Sequence, residues 1–295
     1  MKVIKTISEM RQWSRKTKMR RQKIGFVPTM GYLHEGHLSL IREAHKHADQ
    51  IVVSIYVNPT QFGPNEDFDR YPRDFEHDEH LCRNEGVDIV FYPHDEEMYG
   101  PFHKTYIITE NLADVLCGKS RPTHFRGVTT IVGKLFNIVQ PDIAVFGQKD
   151  AQQAIIIKRM VEDLNFPVQI EIAPIIREAD GLAMSSRNKY LSPRHRKEAT
   201  VLYRSLQLAK KEYANGNNDL ESIKEKMRKL IESESSGKID YIEAVDAQTL
   251  GTPNPATGEI LIALAVYFGT TRLIDNIILA KRLNDKKTRE PKRKN

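Results

Sequence analysis

The sequence predicts an α/β fold, a parallel sheet flanked by helices, with a smaller α+β domain behind it. Short apolar runs alternate with amphipathic stretches through the first two thirds of the 295 residues, the pattern of β-α-β units. Chemically distinctive residues follow directly after apolar runs, where ligands of parallel sheets bind. Beyond Ser192-Pro193 the pattern changes to long polar helical stretches and then strand-like runs.

In chain order, strands are expected at 24–27, 51–57, 89–92, 143–146 and 168–173, each a compact apolar run. Helices are expected at 36–48, where Leu38, Leu40, Ile41 and Ala44 recur at helical spacing, and at 73–84, 127–139 and 151–164. The second part offers helices at 193–214 and 220–234 and strands at 239–245, 260–266 and 271–278. Gly251-Thr252-Pro253-Asn254-Pro255 and Gly269-Thr270 punctuate those strands. The expected division is a sheet domain over 1–182, a smaller domain over 183–281 and a basic tail over 282–295.

A hydrophobic content of 40% with 28% charged residues fits a soluble globular chain of two domains. The apolar runs are too short to cross a bilayer, and Met1-Lys2-Val3-Ile4-Lys5 lacks a signal-peptide apolar segment, so a cytoplasmic protein without membrane contact is expected. Cys82 and Cys117 stand far apart, which indicates neither a disulfide framework nor a thiolate zinc site. From Ala280 to Asn295 eight Lys or Arg face two acids, which is the entire net excess of +6. A tail so poor in apolar residues is expected to be disordered, and the neutral body argues against nucleic acid as a partner.

Val27-Pro28-Thr29-Met30-Gly31-Tyr32-Leu33-His34-Glu35-Gly36-His37 puts two imidazoles beside a glycine where an apolar run meets a helix. Unpaired N–H groups and the helix dipole favour an anion there, and Gly36 lets a phosphate approach the backbone. Capping histidines facing water and a metal pair are the competing readings, although zinc-protease helices are spelled His-Glu-x-x-His. Gly147-Gln148-Lys149-Asp150 closes a strand and opens a helix, offering an ammonium to a phosphoryl transition state with a capping Asp beside it. An exposed lysine beside a cap is the plainer account. Gly181-Leu182-Ala183-Met184-Ser185-Ser186-Arg187-Asn188 has the composition of a polyphosphate-binding loop, or of an ordinary linker. Gln61 and Gln153 carry amides that suit a hydroxy acid, unless they are merely surface residues.

Together, His-x-Gly-His near the first sheet helix, Gly-x-Lys-Asp after a later strand and Met-Ser-Ser-Arg resemble the pantoate–β-alanine ligases over nearly the whole chain up to Lys281. That family has a Rossmann-like domain of the nucleotidyltransferase superfamily. Class I aminoacyl-tRNA synthetases share the superfamily, but their Lys-Met-Ser-Lys-Ser corresponds here to Ala-Met-Ser-Ser-Arg without either lysine.

The resemblance implies that ATP adenylates pantoate and that β-alanine then displaces AMP. It assigns catalysis to His34, His37 and Lys149, with His37 as the group at the departing phosphate. The ATP site is implied to comprise residues 28–37 and 147–150, Met184, Ser185, Ser186 and Arg187, with Ile176 contributing its backbone. Gln61 and Gln153 match pantoate residues, Gln61 also lying near β-alanine. Asp78 looks like the carboxylate near Mg2+, while Asn58, Tyr71, Arg121 and His124 fall in similar strings as a second tier. A homodimer with a closing second domain is also implied. The alternatives are a nucleotidylyltransferase that yields a stable nucleotide product, and a nucleic-acid-binding protein acting through the tail.

Overall fold

In the computed structural model, residues 1–64, 66–254 and 258–280 are described. The elements are β1 (Lys2–Ile4), α1 (Ile7–Met19), β2 (Ile24–Thr29), α2 (Glu35–His45), β3 (Gln50–Ile55), α3 (Phe75–Asn84), β4 (Ile89–Phe91), α4 (Asp95–Met98), α5 (Cys117–Ser120) and α6 (His124–Val139). There follow β5 (Ile143–Gly147), α7 (Ala151–Asp163), β6 (Gln169–Ala173), α8 (Pro193–Glu198), α9 (Val201–Ala214), α10 (Leu220–Glu234), β7 (Lys238–Asp246), β8 (Ile260–Phe268) and β9 (Thr271–Leu279). The expected tail at 282–295 lies outside the described residues.

Strands β1 to β6 form one parallel sheet in the order β1-β4-β3-β2-β5-β6. The chain runs outward from β2 through β3 to β4 on one side and through β5 to β6 on the other, so the strand order reverses between β2 and β5. Ligands of open α/β sheets bind at such a reversal, beyond the carboxyl ends of the strands. Pairing of β2 with β5 ends at Phe26, two residues before Pro28, which has no N–H to give to a ladder. The crevice therefore opens where the ladder has already parted.

Two apolar cores cover the sheet. Helices α1, α6 and α7 pack Met10, Phe136 and Ile157 on one face, while α2 and α3 pack Ile41, Ala44 and Cys82 on the other. Strands β7, β8 and β9 form a separate antiparallel sheet, covered by Leu206, Ile223, Met227 and Ile231 of α9 and α10. The α/β architecture with a second, smaller α+β unit is as expected.

Some local expectations needed correction. Neither β1 nor α1 was anticipated: β1 has three residues, and the buried stripe of α1 includes Ser14 and Thr17, which dilute the apolar period. The expected 193–214 helix is divided into α8 and α9, although Ala199 and Thr200 keep right-handed helical dihedrals, so the junction is a tightened turn. Helix α6 starts at His124, three residues before the expected position.

Candidate active site

His34 is the N-cap of α2, its Nδ1 accepting from the Gly36 N–H at 3.1 Å, while His37 Nδ1 lies 3.3 Å from the His34 N–H. The imidazoles thus complete a reciprocal capping box, with ring centroids 4.1 Å apart. A ring nitrogen that accepts a backbone N–H carries no proton, so the neutral proton of each ring sits on Nε2. Burial, reinforced by Lys149, lowers His34 to about 4. Burial, then His34 and Lys149, holds His37 well below the usual imidazole range. Both rings are neutral hydrogen-bond donors at pH 7. The capping reading is observed, and the two capping imidazoles also line the cavity.

Gly36 lines the cavity and also has a packing reason to be a glycine. A Cβ there would come within 2.8 Å of the His34 ring, so the glycine makes room for the imidazole. The preceding loop bends through Gly31 (φ 82°) and Tyr32 (φ 51°). Asp78 of α3 pins this bend, its two carboxylate oxygens accepting from the N–H groups of Tyr32 at 2.7 Å and Leu33 at 2.6 Å. It lines a different cavity from the imidazoles. This buried carboxylate holds the loop, a function that the magnesium expectation had not included.

Lys149 lies in the 3-10 turn Gln148–Asp150 that prolongs β5. Asn276 of β9 donates from its side-chain amide to the carbonyls of Gln148 at 2.9 Å and Lys149 at 3.0 Å, and accepts from Gln148 Nε2 at 3.3 Å. The second sheet thereby seats the lysine turn. Asp150 is at the N-cap position of α7, but its carboxylate makes no capping bond, contrary to the expectation.

Arg187 belongs to the turn Ser186–Tyr190, where Ser185 Oγ accepts from its N–H at 3.3 Å and Ser186 Oγ donates to the Tyr32 carbonyl at 3.3 Å. The Arg187 fork already holds a carboxylate: its Nε and Nη2 donate to Asp67 at 2.9 and 2.8 Å. Arg121 likewise grips Glu66, with an Nε contact of 2.6 Å, and also donates to the Gln61 carbonyl at 3.2 Å. His124 Nδ1 donates to that same carbonyl at 2.8 Å and is lowered to about 4, chiefly by burial and next by Arg121. Arg121 and His124 thus hold Gln61 by its backbone.

One cavity of about 210 Å3 brings together Pro28, Thr29, Met30, His34, Gly36, His37, Asn58, Gln61, Tyr71, Gly147, Lys149, Asp150, Gln153, Ile176 and residues 184–187. A second, of about 560 Å3, lies between the sheet domain and β9 and shares Lys149, Asp150, Gln153, Ser185 and Arg187 with the first. Arg121 and His124 line only the second. Gly31, Tyr32, Leu33, Glu35 and Gln148 line neither; Leu33 is core, and Glu35 is exposed beside Arg42.

Asp67, Glu66, Asn276 and Tyr99 were missed by the sequence reading. Only Asn276 left a trace, in the polar pair Asp275-Asn276 between the apolar pairs Leu273-Ile274 and Ile277-Ile278 of β9. Asp275 is buried against Arg177.

The sequence profile described as Pantoate-beta-alanine ligase matches residues 2–278. A pantothenate synthetase of Caldicellulosiruptor bescii is 56% identical over 95% of this chain and 99% of its own length. That of Thermotoga petrophila is 55% identical over 95% and 100%. Among solved structures, pantothenate synthetase from Thermus thermophilus superposes with a TM-score of 0.88 at 42% identity, covering 94% of this chain and 99% of that one. The Francisella tularensis ligase, complexed with beta-gamma ATP and β-alanine, has a TM-score of 0.78 at 35% identity, covering 94% and 97%. With its profile matched almost end to end, the chain belongs to the pantoate–β-alanine ligase family.

Proposed function

We propose that this enzyme condenses pantoate with β-alanine, using ATP, to give pantothenate, AMP and pyrophosphate. The observation that carries the reading is the single cavity in which two neutral imidazoles, Lys149, Arg187, Gln61 and Gln153 meet from loops far apart in sequence. In the first half-reaction a pantoate carboxylate oxygen attacks the α-phosphorus, and the bond to the pyrophosphate oxygen breaks. In the second, the β-alanine amine attacks the acyl carbon, AMP leaves and the amine proton is lost. Phosphoryl chemistry of this kind is governed by positioning and charge stabilisation, which the Nε2–H donors and Lys149 supply. Gln61 and Gln153 would hold pantoate, and the second sheet domain would close over the site.

Among the described residues, no cluster of three His, Cys, Asp or Glu side chains is arranged to hold a metal. Mg2+ fits as an ion carried on ATP phosphate oxygens, where it would neutralise charge. Asp150, which lines both cavities, is the carboxylate best placed to approach it.

A homodimer is part of the same reading. Phe102 is 90% and Ile108 69% exposed, large apolar side chains in one short segment. A second copy would cover this patch, and Phe102→Asp should shift the sedimentation equilibrium towards monomer. No helix among the described residues is long and apolar enough to cross a membrane; a cytoplasmic location agrees with this.

Incubation with ATP, Mg2+, pantoate and β-alanine should release AMP, pyrophosphate and pantothenate in equal amounts. Release of ADP, or a stable nucleotide–acceptor product, would overturn the reading.

A further inference from the structure

The side chain of Gln61 is oriented by a chain of groups whose polarity is not negotiable. The Thr60 N–H can only donate, and it lies 3.4 Å from Asn58 Oδ1. The Gly127 carbonyl can only accept, and it lies 3.1 Å from Asn58 Nδ2. These two groups fix which end of the Asn58 amide is nitrogen. Asn58 Nδ2 also lies 3.1 Å from the Gln61 side chain, so the Gln61 atom facing it is Oε1. Gln61 Nε2 is then turned to the cavity wall, 2.8 Å from Met30 Sδ. Tyr99, which closes α4, donates its hydroxyl to Asn58 Oδ1 at 2.8 Å, and Thr60 Oγ1 lies 3.1 Å from the same hydroxyl. Burial pushes the Tyr99 phenol up to about 12, so it remains a donor at neutral pH.

We propose that Tyr99 is a positioning residue that acts through Asn58 to hold the Gln61 amide with its nitrogen towards the substrate. Gln61 then meets its ligand as a donor, so the substrate must present an acceptor oxygen there, from a carboxylate or a hydroxyl. Close packing reinforces the arrangement, since a Cβ on Gly127 would lie 2.5 Å from the Thr60 carbonyl and 2.6 Å from Gln61 Cα. The proposal rests on the reading that Gln61 contacts pantoate.

Steady-state kinetics of Tyr99→Phe, Gln61→Ala and the double variant test it. Tyr99→Phe removes the part-buried hydroxyl that contacts both Asn58 and Thr60 and should raise the pantoate KM roughly 3- to 10-fold, leaving the ATP KM within about twofold. In the Gln61→Ala background the same change should add no further loss. A purely structural tyrosine would instead impair both backgrounds equally. Asn58→Asp, which cannot donate to Gly127 or Gln61, should raise the pantoate KM more strongly, by about 10- to 100-fold, and supplies the answer if Tyr99→Phe fails to fold. An impaired Gln61→Ala with an unaffected or additive Tyr99→Phe overturns the role of Tyr99. A normal pantoate KM in Gln61→Ala overturns the reading of Gln61 itself, and the proposal with it.

Discussion

The two sides of the cavity are built on opposite electrostatic principles. On the α2 side the neutral imidazoles of His34 and His37 line the cavity, and the loop before them is locked by backbone bonds to Asp78 and by the reciprocal imidazole caps. On the other side Arg187 is charged but already occupied by Asp67, as is Arg121 by Glu66 in the adjoining larger cavity. Under the proposed function the first wall would meet the triphosphate as it stands, while Arg187 on the second would have to exchange Asp67 for the ligand. Preorganisation is thus concentrated at the helix entrance, while the arginine side can discriminate through competition between carboxylate and phosphate.

The largest effects should come from removing the donors that the proposed function assigns to the transferring phosphoryl group. His37→Ala and Lys149→Ala are each expected to slow pyrophosphate exchange by about 10²- to 10³-fold, the usual effect of losing one preorganised transition-state contact. Near-normal exchange in both variants would break the comparison at its stronger side. Asn276→Ala releases the lysine turn from the second sheet, and a fall of roughly tenfold in kcat is expected, with a smaller change in the ATP KM. An equal loss of both domains' stability with unchanged kcat would make Asn276 a packing residue only.

Asp67→Asn sharpens the comparison directly. It removes the internal competitor, so the ATP KM should fall by roughly 3-fold or more, and the empty enzyme should melt earlier because the half-buried Arg187 loses its hydrogen-bonded counter-ion. A raised ATP KM would mean that Asp67 assists the ligand. The smallest effect concerns pH. His34 and His124 are lowered to about 4 and His37 is also lowered, so the unfolded chain binds protons that the folded chain refuses below the ordinary imidazole value of 6.5. Stability from these groups is full above pH 6.5 and declines as the pH falls towards 4. Thermal melting between pH 7 and 4.5 should show that decline, with a shallower slope in His34→Gln.

The α2 wall was legible in the sequence because its signals are local: an apolar strand, two imidazoles and a helical period follow one another between Ile24 and Ala44. Lys149 was legible for the same reason, at the end of a buried run. The partners that decide how these groups behave were not, because Asp67 and Asn276 reach the site through contacts 120 and 127 residues away in the chain. Asp78 illustrates the difference: an acidic residue in a helix announces charge, but only the fold reveals that both its oxygens face backbone N–H groups. Strand β1 and helix α1 escaped notice because three residues make no periodicity and Ser14 and Thr17 occupy buried positions.

Isotope exchange between pyrophosphate and ATP, measured with pantoate present and β-alanine withheld, tests most directly whether this cavity activates the acid by adenylation. The account predicts rapid exchange that requires pantoate. Exchange that is absent without β-alanine, or that proceeds equally well without pantoate, would contradict it.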